Sequence, residues 1–242
     1  MDSIYFRKHR QVFEELLKRC NAFAAEVNLR ELSSLSHDHF LSTDTSKCWL
    51  HNLSHRKRLK LNRWCISTFH ASLEDFGNLP PLMVLHALTL KLLNDDHSKS
   101  IDQSLWDMAE ERGLECFGME SFQQHFDALD SYPIRDQLKL LVSFLKNTKN
   151  EKSRLFRLIK QYENGNIAYL YRESKRSLGK NRHHMLYHRN QIMVNKMIED
   201  LDSKAVFYAC GAAHLYGFQG ILSILKRNGY KLQPIDPNLV IV

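Results

Sequence analysis

Residues 204–235 read KAVFYACGAAHLYGFQGILSILKRNGYKLQPI, and this stretch decides the fold. Ala205-Val206-Phe207-Tyr208-Ala209-Cys210 is short, aromatic and β-branched, which predicts a buried strand. Gly211-Ala212-Ala213-His214 follows, placing an imidazole just past the strand's carboxyl end. From Phe218 onward, Ile221, Leu222, Ile224 and Leu225 repeat at helical spacing. Asn228-Gly229 supplies a left-handed stop, with Lys226 and Arg227 at the negative end of the helix dipole. Lys231 to Ile235 then predicts a return to strand. A strand–turn–helix–strand unit belongs to an open α/β sheet, and such sheets build their sites at the carboxyl ends of the strands. His214 therefore stands where chemistry is expected.

From Ala205 to Leu225 there is no Lys, Arg, Asp or Glu, which invites a membrane-spanning alternative. Gly211, Gly217 and Gly220, with His214 and Gln219 between them, break the apolar run and favour two elements over one span. No membrane partner is expected. Five scattered cysteines (Cys20, Cys48, Cys65, Cys116, Cys210) lack C-x-x-C spacing, which argues for reduced thiols and against a zinc ribbon. Met1-Asp2-Ser3 leads into a charged helix with no signal-peptide pattern, so a cytoplasmic location is expected. The formal charge of +7 suits an acidic partner but bears on association more than on fold.

The amino end reads as helix then strand. Val12, Phe13, Leu16, Leu17 and Cys20 share a helical face, and residues 22–29 (AFAAEVNL) read as a strand with Glu26 near its carboxyl end. Residues 33–48 are rich in Ser, Thr, Asp and His and predict a polar loop. From about Leu50 to Leu201 helical periodicity dominates, as in Ile134/Leu138/Leu141/Val142/Leu145 and Leu155/Ile159/Tyr162. One interruption, residues 114–120 (LECFGME), predicts a short strand ending at an acid. The expected architecture is α/β: a small central sheet formed by the amino- and carboxyl-terminal segments, with a large helical insert over roughly residues 50–200 of a single domain spanning 1–242.

Glu26, Glu120 and His214 all lie at the ends of predicted strands, so they can converge on one crevice. Carboxylates with a neutral imidazole suit a divalent cation that activates water or polarises a carbonyl. The simpler alternative is that each acid caps the helix after it. His184 and His188 are four apart on a predicted helix, but without H-E-x-x-H they read as surface or packing histidines. Arg189 could clamp an oxyanion or a carboxylate; equally, it could tie the helices to the sheet through a salt bridge. Arg56-Lys57-Arg58, Lys60 and Arg63 form a basic cluster, but Leu50, Leu53, Leu61, Trp64, Cys65 and Thr68 lie opposite. The cluster thus reads as a solvated helix face, and no nucleic-acid partner is expected. His37-Asp38-His39 is too isolated to make a site. The phosphate-loop, dinucleotide and nucleophile-elbow glycine patterns are all absent.

Phe23-Ala24-Ala25-Glu26, Leu79-Pro80-Pro81-Leu82, Ile101-Asp102-Gln103-Ser104-Leu105, Gly118-Met119-Glu120-Ser121, Arg189-Asn190 and Gly211-Ala212-Ala213-His214 occur in this order along the chain. Together the set resembles the TraB/GumN family. The resemblance implies an α/β fold related to the erythromycin-esterase/ChaN-like group, with a helical insert. It also implies a metal-dependent hydrolytic site acting on peptide or ester bonds, so a peptide or a small ester or amide is the expected substrate. Carried over by position, His214 and Glu26 would ligate a divalent metal ion. Glu120 would serve as general base or ligand, and Arg189 would stabilise developing negative charge. Asp102 matches an acid of the insert and reads as structural.

Two departures accompany the match. Family members carry a Gly-x-x-His near each end, whereas residues 1–6 (MDSIYF) stand where the strand before the first motif has already finished. His9 lies in the helix that follows and does not replace the missing histidine. His125 stands where the family commonly has Gln. Two functional readings follow: a metal-dependent hydrolase, or a catalytically silent module that binds a peptide or partner in the same crevice.

Overall fold

The computed structural model describes residues 2–34, 49–76, 79–93 and 99–236. It forms two compact units: residues 1–32, 98–131 and 159–242 make the first, and 33–97 with 132–158 the second.

The first unit is organised by a parallel sheet of three strands: β1 (Ala22–Ala25), β2 (Glu115–Gly118) and β3 (Val206–Tyr208), in the order β2-β1-β3. All three were legible as strands, though each is shorter than its apolar run. Because β1 is central it is buried on both faces, and its AFAA sequence is uninterrupted rather than alternating with polar residues. Successive side chains still go to opposite sides. Phe23 and Ala25 enter a cluster with Leu17, Leu105, Trp106 and Ala109, contributed largely by α1 (Asp2–Leu17) and α5 (Ile101–Glu111). Ala24 enters another with Met193, Val194, Met197, Ile221 and Ile224, from α10 (Arg189–Leu201) and α11 (Ile221–Arg227). Phe23 lies edge-on to Trp106 and stacks on Phe207, tying the central strand to a helix and to β3.

Three features differ from the sequence reading. Leu29 belongs to a helix, α2 (Leu29–Ser34), because the Asn28 side chain accepts hydrogen bonds from the N–H groups of Arg30 and Glu31 and turns the chain. Residues 35–48 of the predicted loop, with His37-Asp38-His39, lie outside the described residues. The C-terminal helix starts at Ile221 rather than Phe218. Residues 231–235 pair with no strand among the described residues; Tyr230 and Leu232 instead pack on the α10/α11 cluster. Gly229 does take φ +91, as the helix stop requires.

At the end of β2 the backbones close tightly. A Cβ on Gly118 would meet Asn28 N at 2.5 Å and Val27 C at 2.9 Å, so only glycine lets this strand lie against the turn after β1.

The second unit is helical. The helices α3 (His55–Phe69), α4 (Pro81–Leu92) and α7 (Ile134–Lys146) surround a core of Trp49, Leu61, Cys65, Leu73, Val84, Leu88, Leu141 and Phe144. The Gln137 side chain, buried in α7, donates to Tyr132 O and accepts from Leu82 N, so its burial is fully matched by hydrogen bonds. The remaining helices are α6 (Phe122–Asp130), α8 (Thr148–Glu163), within which the boundary between units falls, and α9 (Ile167–Leu178). Among the described residues no helix is long and apolar enough to cross a membrane, and residues 205–225 divide into strand, 3-10 turn and helix.

Candidate functional site

The ladder that builds the sheet also delivers the acids. Beyond the last β1–β2 pair, Met119 N donates to Ala25 O and Glu120 N donates to Glu26 O. The two glutamates thus leave adjacent strand ends together. Neither caps a helix: Asn28 caps α2, and Ser121 caps α6 in a reciprocal capping box with Gln124. The capping alternative therefore falls for both acids.

Arg189 joins them. Its Nε donates to Glu120 Oε2 at 3.0 Å, its Nη2 bonds Glu120 Oε1, and the same Nη2 donates to Glu26 Oε2 at 2.6 Å. The Glu120 side chain is fully buried and that of Arg189 only 8% exposed. Burial alone would raise the Glu120 carboxyl; hydrogen bonds from His125 and Arg189, with the guanidinium charge, hold it below the ordinary carboxylate range. For Glu26 burial again pushes upward, but His214 when protonated, Arg189 and the Gly211 N–H outweigh it. Arg189 would lose its proton more readily through burial; its two carboxylate partners more than reverse this and keep it charged. Nη1 of Arg189 makes no hydrogen bond to a described residue.

His214 occupies a 3-10 turn, Ala212–His214, after β3 and is almost fully buried. Its orientation and tautomer follow from Asn190. Asn190 Nδ2 donates to Gln219 O at 2.5 Å, which turns its Oδ1 toward His214 Nδ1, also at 2.5 Å. Oδ1 can only accept, so Nδ1 carries the proton and Nε2 presents a lone pair. Burial lowers the His214 pKa below the usual imidazole value and keeps the ring neutral near pH 7. The Nε2 lone pair faces Glu26 Oε1 across 3.7 Å, and the same oxygen accepts the Gly211 N–H at 2.7 Å. A Cβ on Gly211 would stand 3.2 Å from that oxygen and 3.6 Å from the imidazole, so the glycine of the Gly-x-x-His motif leaves this gap open.

All four singled-out residues, Glu26, Glu120, Arg189 and His214, come together. Three contributors were not assigned roles from sequence. His125, on α6, puts Nδ1 2.8 Å from Glu120 Oε1 and donates to it. Asn190 adjoins the highlighted arginine, and the Gly211 N–H belongs to the motif itself; adjacency to Arg189 and membership of the Gly-x-x-His motif were the available signals. His183, His184 and His188 are exposed on a π-helical segment (His183–His188) that leads into α10, in keeping with surface histidines. Asp102 lies in the first turn of α5.

His214 Nε2 and Glu26 Oε1 are chemically suitable for a cation and suitably spaced, but Glu120 is committed to Arg189 and His125. No group of three or more ligating side chains that could hold a metal ion occurs among the described residues. Hydrolytic zinc sites use three protein ligands, so this set does not by itself fit a metal.

A small parallel sheet with a largely buried acid–arginine–histidine cluster at its strand ends defines an α/β protein whose polar groups gather at the sheet's carboxyl edge, where such folds place their sites. The chain belongs to the TraB/PrgY/gumN family, whose sequence model matches residues 5–234. No curated protein and no solved structure shows detectable similarity to it.

Proposed function

We propose that the crevice is a hydrolase-type site in which water is activated between His214 and Glu26. The supporting observation is the pair of hydrogen-bond acceptors, Nε2 and Oε1, facing each other 3.7 Å apart with no donor from the described residues between them. Two acceptors in that arrangement, one buried and one part-buried, leave room for a donor or a cation, and a water molecule can donate to both. His214, neutral and held by Asn190, would take a proton from that water as it attacks a peptide or ester carbonyl. The oxygen that becomes negative would be met by Nη1 of Arg189, and the proton on His214 would pass to the departing amine or alcohol. Glu120 would act through Arg189, fixing its guanidinium. A divalent cation, if a third ligand joined His214 and Glu26, would supply Lewis-acid activation.

The acid–arginine pairing favours a second reading. A guanidinium shared by two carboxylates also serves a rigid, catalytically silent binding crevice.

The deciding experiment follows cleavage of p-nitrophenyl esters and fluorogenic peptides by wild type, His214→Asn and Glu26→Gln, each treated with chelator and then with added zinc or manganese. Turnover lost in both variants supports hydrolysis. Wild-type rates equal to His214→Asn under every condition would defeat it, and peptide binding would then be the function to pursue. Rates restored only by added metal would show that the cation completes the site.

A further inference from the structure

In the helical unit, α3 and α7 border a groove of about 690 Å3. Its wall on α7 is Arg135, Leu138, Lys139, Val142, Ser143 and Lys146, a stripe at i, i+3, i+4, i+7, i+8 and i+11. At about 1.5 Å per residue the stripe runs for about 17 Å, three helical turns. Lys57, Lys60, Leu61 and Trp64 form the matching stripe on α3, and Leu53 closes one end. Five lining residues are cations and none is a carboxylate. The α3 helix itself, HRKRLKLNRWCISTF, carries no acid at all. Among the described residues Lys139 alone of these cations pairs with a carboxylate, that of Asp136 one turn before it, and Lys60 rests 5.0 Å from the centre of the Trp64 ring.

We propose that this groove docks an acidic amphipathic helix of a partner protein. The cationic border and the aliphatic floor make different demands, and this guest meets both. Leucine-type side chains at i, i+3 and i+7 would lie along Leu53, Leu61, Leu138 and Val142, which is the helix-in-groove mode of recognition. Glutamates flanking that stripe would meet Lys57, Lys60, Arg135 and Lys146, giving attraction on approach and a fixed orientation. A single-stranded nucleic acid would meet the charge but not the floor. Bases stack on aromatic faces, and Trp64, the one aromatic lining residue, is already covered by Lys60. The groove thus draws on Lys57 and Lys60 of the basic cluster of α3 and shares no residue with the strand-end site.

The test uses the full chain and a fluorescein-labelled helical peptide of about 16 residues, with leucines at i, i+3 and i+7 and glutamates on either side. A control peptide has the same composition with the leucines spread around the helix. Anisotropy should show saturable binding of the patterned peptide, about tenfold or more tighter than the control. The Lys57→Glu/Lys60→Glu variant should weaken binding by about tenfold, given roughly 0.5–1 kcal/mol for each exposed charge, while its thermal melt stays near wild type. Trp49 and Trp106 are buried, so a shift in tryptophan emission on binding that vanishes in Trp64→Phe would place the peptide in the groove. Equal affinity for both peptides would overturn the proposal, as would an unchanged affinity in the charge-reversed variant or no binding at about 1 mM. Displacement of the patterned peptide by oligo(U) RNA or phosphatidylserine vesicles at lower concentration than the unlabelled peptide itself would overturn it in favour of those ligands.

Discussion

Replacing Arg189 by Met removes the guanidinium that joins a buried carboxylate to a part-buried one and keeps most of the side-chain volume. The Glu120 side chain has no exposure and that of Glu26 is 23% exposed, so water can replace the lost partner at Glu26 but hardly at Glu120. Breaking such a buried pair costs about 3–5 kcal/mol, because an uncompensated charge stays behind. For a chain of this size each kcal/mol lowers Tm by about 2–4 °C, giving a drop of about 6–20 °C near pH 7.5. The sign of the pH dependence is fixed by the same groups. In the wild type both carboxyls are held below their unfolded values, so their stabilisation is present above about pH 4.3 and lost as pH falls through the folded values. In the variant, burial of Glu120 is opposed only by His125, and its folded pKa rises above the unfolded value. The variant then loses stability as pH rises, and its deficit against wild type widens from pH 5 to pH 7.5. Differential scanning fluorimetry at the two pH values reads both quantities. A drop below about 3 °C, or an equal drop at both pH values, would refute the claim that Arg189 neutralises a buried acid pair.

Gly118→Ala pushes a methyl into the backbone of Val27 and Asn28 and should cost about 1–3 kcal/mol in urea unfolding; a neutral effect would mean that the β1–β2 strand ends are not in contact. His214 has a folded pKa below its unfolded value of about 6.5, so the unfolded chain binds the proton first and stability falls as pH drops from about 6.5 toward the folded value. His214→Asn should flatten that slope in urea midpoints, and an NMR titration placing His214 at or above 6.5 would contradict its burial as a neutral ring. Cys65 is fully buried and its thiol is pushed up to about 11, so iodoacetamide at pH 8 should spare it until the chain unfolds, as mass spectrometry of the labelled peptides will show.

The sheet was readable because its three strands are short apolar runs among long helical periodicities, and the strand ends pointed to Glu26, Glu120 and His214. The extent of each strand was not readable. At Leu29 a local event, Asn28 turning onto the next N–H groups, ends the extended segment despite an apolar residue. Strand 231–235 failed for the opposite reason: Lys231-Leu232-Gln233 alternates correctly, but a ladder requires a neighbour, and Leu232 finds its burial by packing alone. His125 was invisible as a site residue because it lies on a polar helix and reaches Glu120 only when that helix folds back over the strand end. The tautomer of His214 depends on the Gln219 carbonyl acting through Asn190, a relay that no residue spacing encodes.

The central position of β1 also fixes the order in which the protein can assemble. The strand is made first, yet its partners arrive with residues 115 and 206, and the crevice hydrogen bonds from Arg189 and Gly211 to Glu26 close separations of 163 and 185 residues. Loops of that length close slowly. During vectorial synthesis the segments of the helical unit are complete by residue 158, whereas β1 keeps one open edge until β3 emerges. A chain stalled between those points carries an apolar strand with an unpaired ladder, the form most exposed to intermolecular pairing. Delayed synthesis or loss of the last strand should therefore appear first as aggregation, before any change in the helical unit.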